Sequence, residues 1–282
     1  MTESATVTRF APSPTGNLHK GHAYAALRAF RFAEENNGRF LLRIEDIDFQ
    51  RCDASHTRQI LDDLNWLGLT WEEPVRIQSE HLDEYKAAAK SLLDRGLLYP
   101  CFCTRKEILQ EIERAGGAPH GAEGPLYPGT CRGMTEQQRR DKIATGVGYA
   151  LRLDLERALE EIGEHPTWFD SGKGEQTAKP ELLGDAVIVR KDIGTSYHLA
   201  VVFDDGLQQI SDIVRGQDLF ESTHLHVVLQ RLLGLPTPRY HHHALLTDSD
   251  GERLAKRNQS ITLKALRENG ITPEDLKKEW GE

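Results

Sequence analysis

Arg9-Phe-Ala-Pro-Ser-Pro-Thr-Gly-Asn-Leu-His-Lys-Gly-His22 is the stretch on which the fold of this chain turns. Thr6 to Phe10 carries strand-forming residues, whereas Pro12, Pro14 and Gly16 exclude regular structure. A helix then opens around His19 and His22, whose spacing puts both rings on one face. A helix N-terminus has unpaired N–H groups and the positive end of the dipole, so it seats phosphate oxygens. Two imidazole donors added there, with Gly21 between them, suit a triphosphate attacked at its α-phosphorus. H-x-G-H alone is equally a strand-turn-helix with two surface histidines. The whole run is far more specific.

Near the other end, Asp248-Ser-Asp250-Gly251 reads as a tight turn, followed by Glu252-Arg-Leu-Ala-Lys256-Arg257-Asn-Gln-Ser260. A cationic loop in that place can close over a nucleotide and balance charge developing on pyrophosphate. Taken alone it is more readily a solvated basic loop.

The chain has 282 residues, 38% of them hydrophobic, enough for one large domain with an insertion or for two domains. No stretch approaches the ~20 apolar residues that span a bilayer. Met1-Thr-Glu-Ser4 lacks the charged and apolar regions of a secretion signal, so the expected location is the cytoplasm. A net charge of −9 argues against general nucleic-acid affinity, which depends on Lys and Arg. It permits a selective RNA partner reached through local basic patches such as Arg105/Lys106, Arg132, Arg139/Arg140/Lys142 and Lys264/Arg267.

Helical and strand-like segments alternate, which predicts an α/β fold with a parallel sheet. Phe40 to Asp46 reads as a second strand ending in acids. Ser55 and Ser79 are the expected N-caps of two helices closed by Gly68 and Gly96. From Cys101 to about Lys191 the character changes to an insertion with a Gly/Pro-rich loop, a charged helix and the alternating strand Val147 to Leu153. The α/β pattern resumes with Ser196 to Asp205 and Ile210 to Arg215, then a helix from Ser222 to Leu233 stopped by Gly234 and Pro236. Two short helices are expected in the tail, the second opened by the capping box Thr272-Pro-Glu-Asp275.

Three of the four cysteines, Cys101, Cys103 and Cys131, fall in the insertion, and Cys52 stands apart. Such grouping favours a metal over a disulfide, although inert thiols remain the plainer reading of C-x-C. A tetrahedral zinc wants a fourth ligand; His120 and Tyr127 are available, and zinc chemistry alone favours His120. Elsewhere Glu45 ends one strand, Arg215 ends another and Tyr197 lies near a strand. Ligands of open parallel sheets bind beyond the carboxyl ends of strands, so these residues are expected to meet Arg9 and Ser13 around an acidic amino acid. Guanidinium suits its carboxylate and Glu45 its ammonium. A structural ion network of Arg9, Glu45 and Arg215 is the alternative.

The histidine run and Lys256-Arg257-Asn258-Gln259-Ser260, a loose version of the usual lysine loop, together resemble the paired signatures of class I aminoacyl-tRNA synthetases. Arg9 to Gly16, Arg43-Ile-Glu-Asp-Ile-Asp48 and Ile213-Val-Arg-Gly-Gln-Asp218 resemble glutamyl-tRNA synthetases. Tyr99-Pro-Cys-Phe-Cys-Thr-Arg105, Tyr127-Pro-Gly-Thr-Cys-Arg132 and Leu232 to Tyr240 are similar to their short paralogues, the glutamyl-Q tRNA(Asp) synthetases. The resemblance covers essentially the whole chain, and with Glu282 following so soon after Lys256 a helical anticodon-binding domain is not expected.

The resemblance implies a Rossmann-like nucleotide-binding sheet split over 1–100 and 192–238, an inserted zinc-containing α+β subdomain over 101–191, and a lysine-loop and helical region over 239–282. It implies ATP-dependent activation of L-glutamate without tRNA, and transfer to queuosine at the wobble position of tRNA(Asp), bound through its anticodon arm. Arg9, Phe10, Ala11, Pro12, Ser13, Glu45, Tyr197 and Arg215 would hold glutamate. His19, Gly21, His22 and Lys256 would meet ATP and its Mg2+. Cys101, Cys103, Tyr127 and Cys131 would bind zinc, Tyr127 in place of His120. A monomer is expected. The alternatives are a truncated glutamyl-tRNA synthetase charging the 3′ end of tRNA(Glu), or a catalytically silent tRNA-binding paralogue.

Overall fold

Val7–Phe10 (β1) and Arg39–Ile44 (β2) are short, almost wholly buried runs that pair in parallel, Val7 opposite Arg39. A parallel pair needs a crossover, and Lys20–Glu35 (α1) supplies it, laying Ala23, Ala26, Leu27, Ala29 and Ala33 inward. Ala54–Trp66 (α2) leads to Glu72–Ile77 (β3), parallel to β2, and a 3-10 turn over Gln78–His81 precedes Leu82–Asp94 (α3). The computed structural model describes residues 5–114, 120–121, 124–247 and 261–281.

Both serine caps are corrected. Asp53, not Ser55, caps α2, because its carboxylate precedes the first turn and accepts from the Ser55 amide at 2.7 Å. Ser79 lies inside the 3-10 turn, its amide and hydroxyl both donating to Asp46 (2.8 and 2.6 Å), so it tethers that turn to the end of β2.

The next segment holds Leu98–Cys101 (β4), Arg105–Arg114 (α4), the small hairpin His120–Gly121 (β5) and Gly124–Pro125 (β6), and Glu136–Ala144 (α5). Ala150–Leu153 (β7), Leu155–Ile162 (α6), Thr167–Asp170 (β8), Gly174–Thr177 (β9) and Val187–Val189 (β10) follow. β7 lies antiparallel between β4 and β10. The chain then forms Tyr197–Leu207 (α7), Asp212–Gly216 (β11), Phe220–Leu233 (α8), Arg239–His243 (β12), Leu263–Glu268 (α9) and Pro273–Trp280 (α10). Tyr197 opens a helix, α7, which packs beside β10. Its apolar run is buried on most sides, and such a helix has no periodicity to separate it from a core strand.

β11 pairs in parallel with β12, and Ser211 stitches β11 beside β1: its amide donates to the Val7 carbonyl (3.0 Å) and its hydroxyl accepts from the Val7 amide (2.8 Å). The spatial order is β3-β2-β1-β11-β12, reversing direction between β1 and β11. Beyond the carboxyl ends of strands at such a switch point, an α/β sheet has its natural crevice. Sheets cross the expected domain boundaries. The β8–β9 hairpin, inside 101–191, joins the main sheet through Tyr240 opposite Asp170, and β12, inside 239–282, belongs to that sheet. α9 and α10 pack Leu263, Leu266 and Leu276 into the core formed by α1, β2 and α2. No described helix is long and apolar enough to cross a membrane.

α8 is buried without interruption from Ser222 to Gln230, polar side chains included. Burial holds His224 below the usual imidazole value and, with Arg215, His226 well below it; burial and Arg215 hold His242 at about 4, despite Asp170. These rings are neutral in the folded protein and charged in the unfolded chain below about pH 6.5, so acid favours unfolding. For His242 the drop from 6.5 to about 4 corresponds to about 3 kcal/mol, fully present above pH 6.5 and lost as pH falls towards 4. Urea midpoints measured from pH 7.5 to 4.5 should therefore fall, steepening below 6.5. A flat profile over that interval would contradict neutral buried histidines.

Candidate active site

His19 is the N-cap of α1, and its Nδ1 accepts from the Gly21 amide at 3.1 Å. His22 answers from the third helical position, its Nδ1 accepting from the His19 amide at 3.3 Å. The pair forms a capping box built from imidazoles, with ring centroids 3.8 Å apart. Because each Nδ1 acts as an acceptor, the neutral rings carry their protons on Nε2. The sequence rule of two donors at a helix start thus acquires a defined tautomer. Thr262 bridges to His19, and the Leu263 amide donates to the Leu18 carbonyl (2.9 Å), so the segment after residue 260 returns to the histidines. Lys256 itself lies outside the described residues.

Both histidines and Gly21 line a cleft of about 430 Å³ at the switch point. Arg9, Phe10, Ala11 and Ser13 come to it from the end of β1, Glu45 from the end of β2, and Tyr197 and Arg215 from α7 and β11. Pro12 is not on its wall; its carbonyl accepts from the Glu45 amide at 3.0 Å and so sets where that carboxylate begins. A second cleft of about 330 Å³ shares Ser13, Glu45 and Tyr197 and runs on to Asp48, Arg51 and Arg190. A larger groove of about 740 Å³ lies at α4 and α5 beside Cys103 and Cys131, but neither the histidines nor Arg215 line it.

Arg9 and Glu45 also belong to a buried ion network, the alternative the sequence left open, but its other members are Arg43, Asp204 and Asp205 and not Arg215. Arg9 donates twice to Asp205, at 3.0 and 3.3 Å. Arg43, with no solvent exposure, reaches Asp205 (2.9 Å), Glu45 (3.1 Å) and Asp204 (3.7 Å). Burial opposes the Arg43 charge, yet Asp205, Glu45 and Asp204 outweigh it and raise its pKa. Burial raises the Glu45 carboxyl against the pull of Arg43 and Arg9, while those two arginines overcome burial at Asp205 and lower it. The acids Glu45 and Asp46 at the end of β2 were visible in sequence. No local signal pointed to Asp204 or Asp205 as their counterparts, 162 residues from Arg43 in the case of Asp205.

Arg215 stands apart from that network. Its Nε donates to His242 (3.1 Å), and its Nη2 to Thr223 Oγ1 (2.6 Å) and the Leu219 carbonyl (3.1 Å). Nη1 is buried without a hydrogen-bond partner. An unsatisfied guanidinium N–H on the wall of a cleft is costly unless an acceptor arrives, and a carboxylate is the best one.

Some way along the chain, Cys101, Cys103 and Cys131 converge, their sulfurs within 4.8 Å of one another. Tyr127 Oη lies 3.4 Å from Cys101 Sγ and 3.6 Å from Cys103 Sγ, and the Cys103 and Cys131 sulfurs are 3.5 Å apart. Ligands about 2.3 Å from a tetrahedral zinc stand ~3.7 Å apart, so these four atoms fit one ion. Arg152 covers the Tyr127 ring at 3.9 Å. The side chain of His120 lies outside the described residues. Cys52 is remote from the cluster, on the wall of the second cleft.

The family described as tRNA synthetases class I (E and Q), catalytic domain, matches residues 5–279. The glutamyl-Q tRNA(Asp) synthetase of Rhodobacter capsulatus is 46% identical over 281 residues, covering 96% of this chain and 98% of that protein. The glutamate–tRNA ligase of Aquifex aeolicus is 37% identical over 95% of this chain, which spans 55% of that longer protein. Among solved structures, a glutamate tRNA ligase from Elizabethkingia meningosepticum in complex with its amino acid superposes with a TM-score of 0.79 at 28% identity, over 96% of this chain and 59% of that one. Sequence, fold and cleft agree: the chain belongs to the class I tRNA synthetases of the glutamyl and glutaminyl type, through their catalytic domain.

Proposed function

We propose that the chain activates L-glutamate with ATP in the absence of tRNA, and then transfers it to queuosine at the wobble position of tRNA(Asp). The observation that carries this reading is the meeting, in one switch-point cleft, of two Nε2-protonated histidines and an arginine with an unpaired N–H. Arg215 Nη1 takes the side-chain carboxylate, and Glu45 with Ser13 and Tyr197 takes the ammonium. The α-carboxylate then faces the α-phosphorus of an ATP whose phosphates rest on His19, His22 and the N-terminus of α1. Attack is in line, and pyrophosphate leaves; catalysis is positioning and charge stabilisation, with no covalent enzyme intermediate. Lys256 balances the departing charge, and Mg2+ rides on the phosphate oxygens.

In the second step a hydroxyl of the queuosine cyclopentene-diol attacks the glutamyl carbonyl, and AMP leaves. The second cleft, sharing Ser13, Glu45 and Tyr197 with the first, gives an acceptor nucleoside its own approach to that carbonyl. Single-stranded anticodon-arm bases and backbone are the expected RNA contacts. The similarity to the Rhodobacter protein over nearly its full length favours this acceptor over the 3′ end of tRNA(Glu). ATP and tRNA as partners place the reaction in the cytoplasm. Zinc held by Cys101, Cys103, Tyr127 and Cys131 braces the inserted segment and takes no part in adenylation.

Glutamate-dependent pyrophosphate exchange should proceed without RNA, and its absence would leave a silent tRNA-binding paralogue. Lys256→Ala should lower exchange by about 10²–10³-fold. Glutamate acceptance should appear with tRNA(Asp) carrying wobble queuosine and vanish with the same tRNA bearing guanine; equal acceptance by both, or charging of tRNA(Glu), would reverse the choice of acceptor.

Metal analysis of protein purified without chelator should find one zinc per chain, lost in Cys131→Ser. Burial and the neighbouring sulfurs push the Cys103 thiol up to about 11, so reloading zinc into stripped protein at pH 7 should release protons to a weakly buffered indicator. Zinc-free native protein would remove the metal and leave the adenylation chemistry intact.

A further inference from the structure

The residue behind the Arg215 guanidinium is itself held by a second residue, and both are buried. Arg215 Nε–H points at His242 Nε2 (3.1 Å), which must therefore be an unprotonated acceptor. The ring proton then sits on Nδ1 and donates to Asp170 Oδ2 at 2.7 Å. Asp170 is committed in turn: its Oδ1 accepts from the Gly172 and Lys173 amides, both at 2.9 Å, in the turn between β8 and β9. Asp170 and the His242 side chain are 1% and 2% exposed, so water does not substitute for either partner. Tyr240 stacks parallel to the His242 ring at 5.8 Å, and Phe220 and Trp168 meet it at 5.1 and 6.1 Å, which stops the ring from turning.

The geometry points to Asp170 and His242 as positioning residues for substrate selection: the Asp170 carboxylate fixes the Nδ1–H tautomer of His242, whose Nε2 lone pair aims Arg215 at the substrate carboxylate. The inference rests on the reading of Arg215 as the group that takes the glutamate side chain. An imidazolium in this place would turn an N–H against the Arg215 N–H, so the neutral tautomer is required for the contact to exist. Asp170 is brought there by pairing of β8 with β12, Tyr240 opposite Asp170, so the inserted segment contributes to the amino-acid site without touching the amino acid.

Asp170→Asn tests the chain of contacts with almost no change in shape. The Gly172 and Lys173 amides claim the carboxamide oxygen, leaving its NH2 facing His242 Nδ1. That ring nitrogen must become an acceptor, and the proton moves to Nε2, opposite the Arg215 N–H. An Asp→Asn change that selects the wrong tautomer is the effect known for the aspartate of serine protease triads. In 15N-labelled protein at pH 7, the His242 resonances should report Nδ1–H in the native chain and Nε2–H in Asp170→Asn. In RNA-free pyrophosphate exchange, Asp170→Asn should raise the KM for glutamate by about tenfold or more, with the KM for ATP changed less than about twofold. His242→Gln, which can return an acceptor oxygen to Arg215, should recover most of the glutamate affinity that His242→Phe loses. Asp170→Asn added to His242→Phe should cause no further rise.

An Nε2–H tautomer in the native protein would overturn the inference. So would an unchanged glutamate KM in Asp170→Asn, or equal losses for glutamate and ATP, the signature of a merely loosened fold. Native protein without glutamate-dependent exchange would instead defeat the functional reading, and the ring spectrum would then decide the hydrogen-bond relay by itself.

Discussion

A fully buried guanidinium, that of Arg43, is the constraint on which the site depends. It lies on β2 and binds Asp205 and Asp204 of α7 as well as Glu45 just beyond its own strand. Asp205 passes the constraint to Arg9 on β1, and Asp204 passes it to Arg76 on β3 at 2.8 Å and to Tyr85 on α3 at 2.9 Å. Networks of this kind add little net stability, since desolvation offsets most of their attraction; removing one member is what costs about 3–5 kcal/mol. Their effect here is geometrical. Three strands and two helices are fixed relative to each other, and the cleft lies at the strand ends so held.

Within that frame the polar groups of the cleft are set by backbone groups and by other side chains. The histidine rings are oriented by amides of their own helix turn, Glu45 by Pro12 and Arg43, and Arg215 by His242, Thr223 and the Leu219 carbonyl. A site so held needs little reorganisation when charge develops within it, which is where electrostatic catalysis draws its advantage. It also explains why ordinarily peripheral features matter. The β8–β9 hairpin comes from the inserted segment, yet Asp170 at its end stands directly behind the amino-acid side of the cleft.

Sequence reading succeeded where one short segment contains both the signal and its consequence. The capping box Thr272–Asp275 and the stop at Gly234 are found as expected, the latter with φ of 66°. The cysteine spacing brings the three sulfurs together, with Tyr127 Oη beside two of them. It failed at Ser55 and Ser79, whose own amides donate to an aspartate upstream, so that neither serine caps its helix. Around Tyr197 it left helix and strand undivided, because a helix buried on most sides and a core strand look alike as apolar runs.

The sequence by itself determined the histidine half of the cleft. His19, Gly21 and His22 act through local backbone geometry that any isolated turn of helix would share. Tertiary structure alone decided the arginine half: that Arg43 meets Asp205, that Arg215 keeps one N–H unpaired, and that His242 stands between Arg215 and Asp170. Those partners are chosen by which strands become neighbours at the switch point. Charge pairing between distant residues has no period or spacing that a linear chain could display.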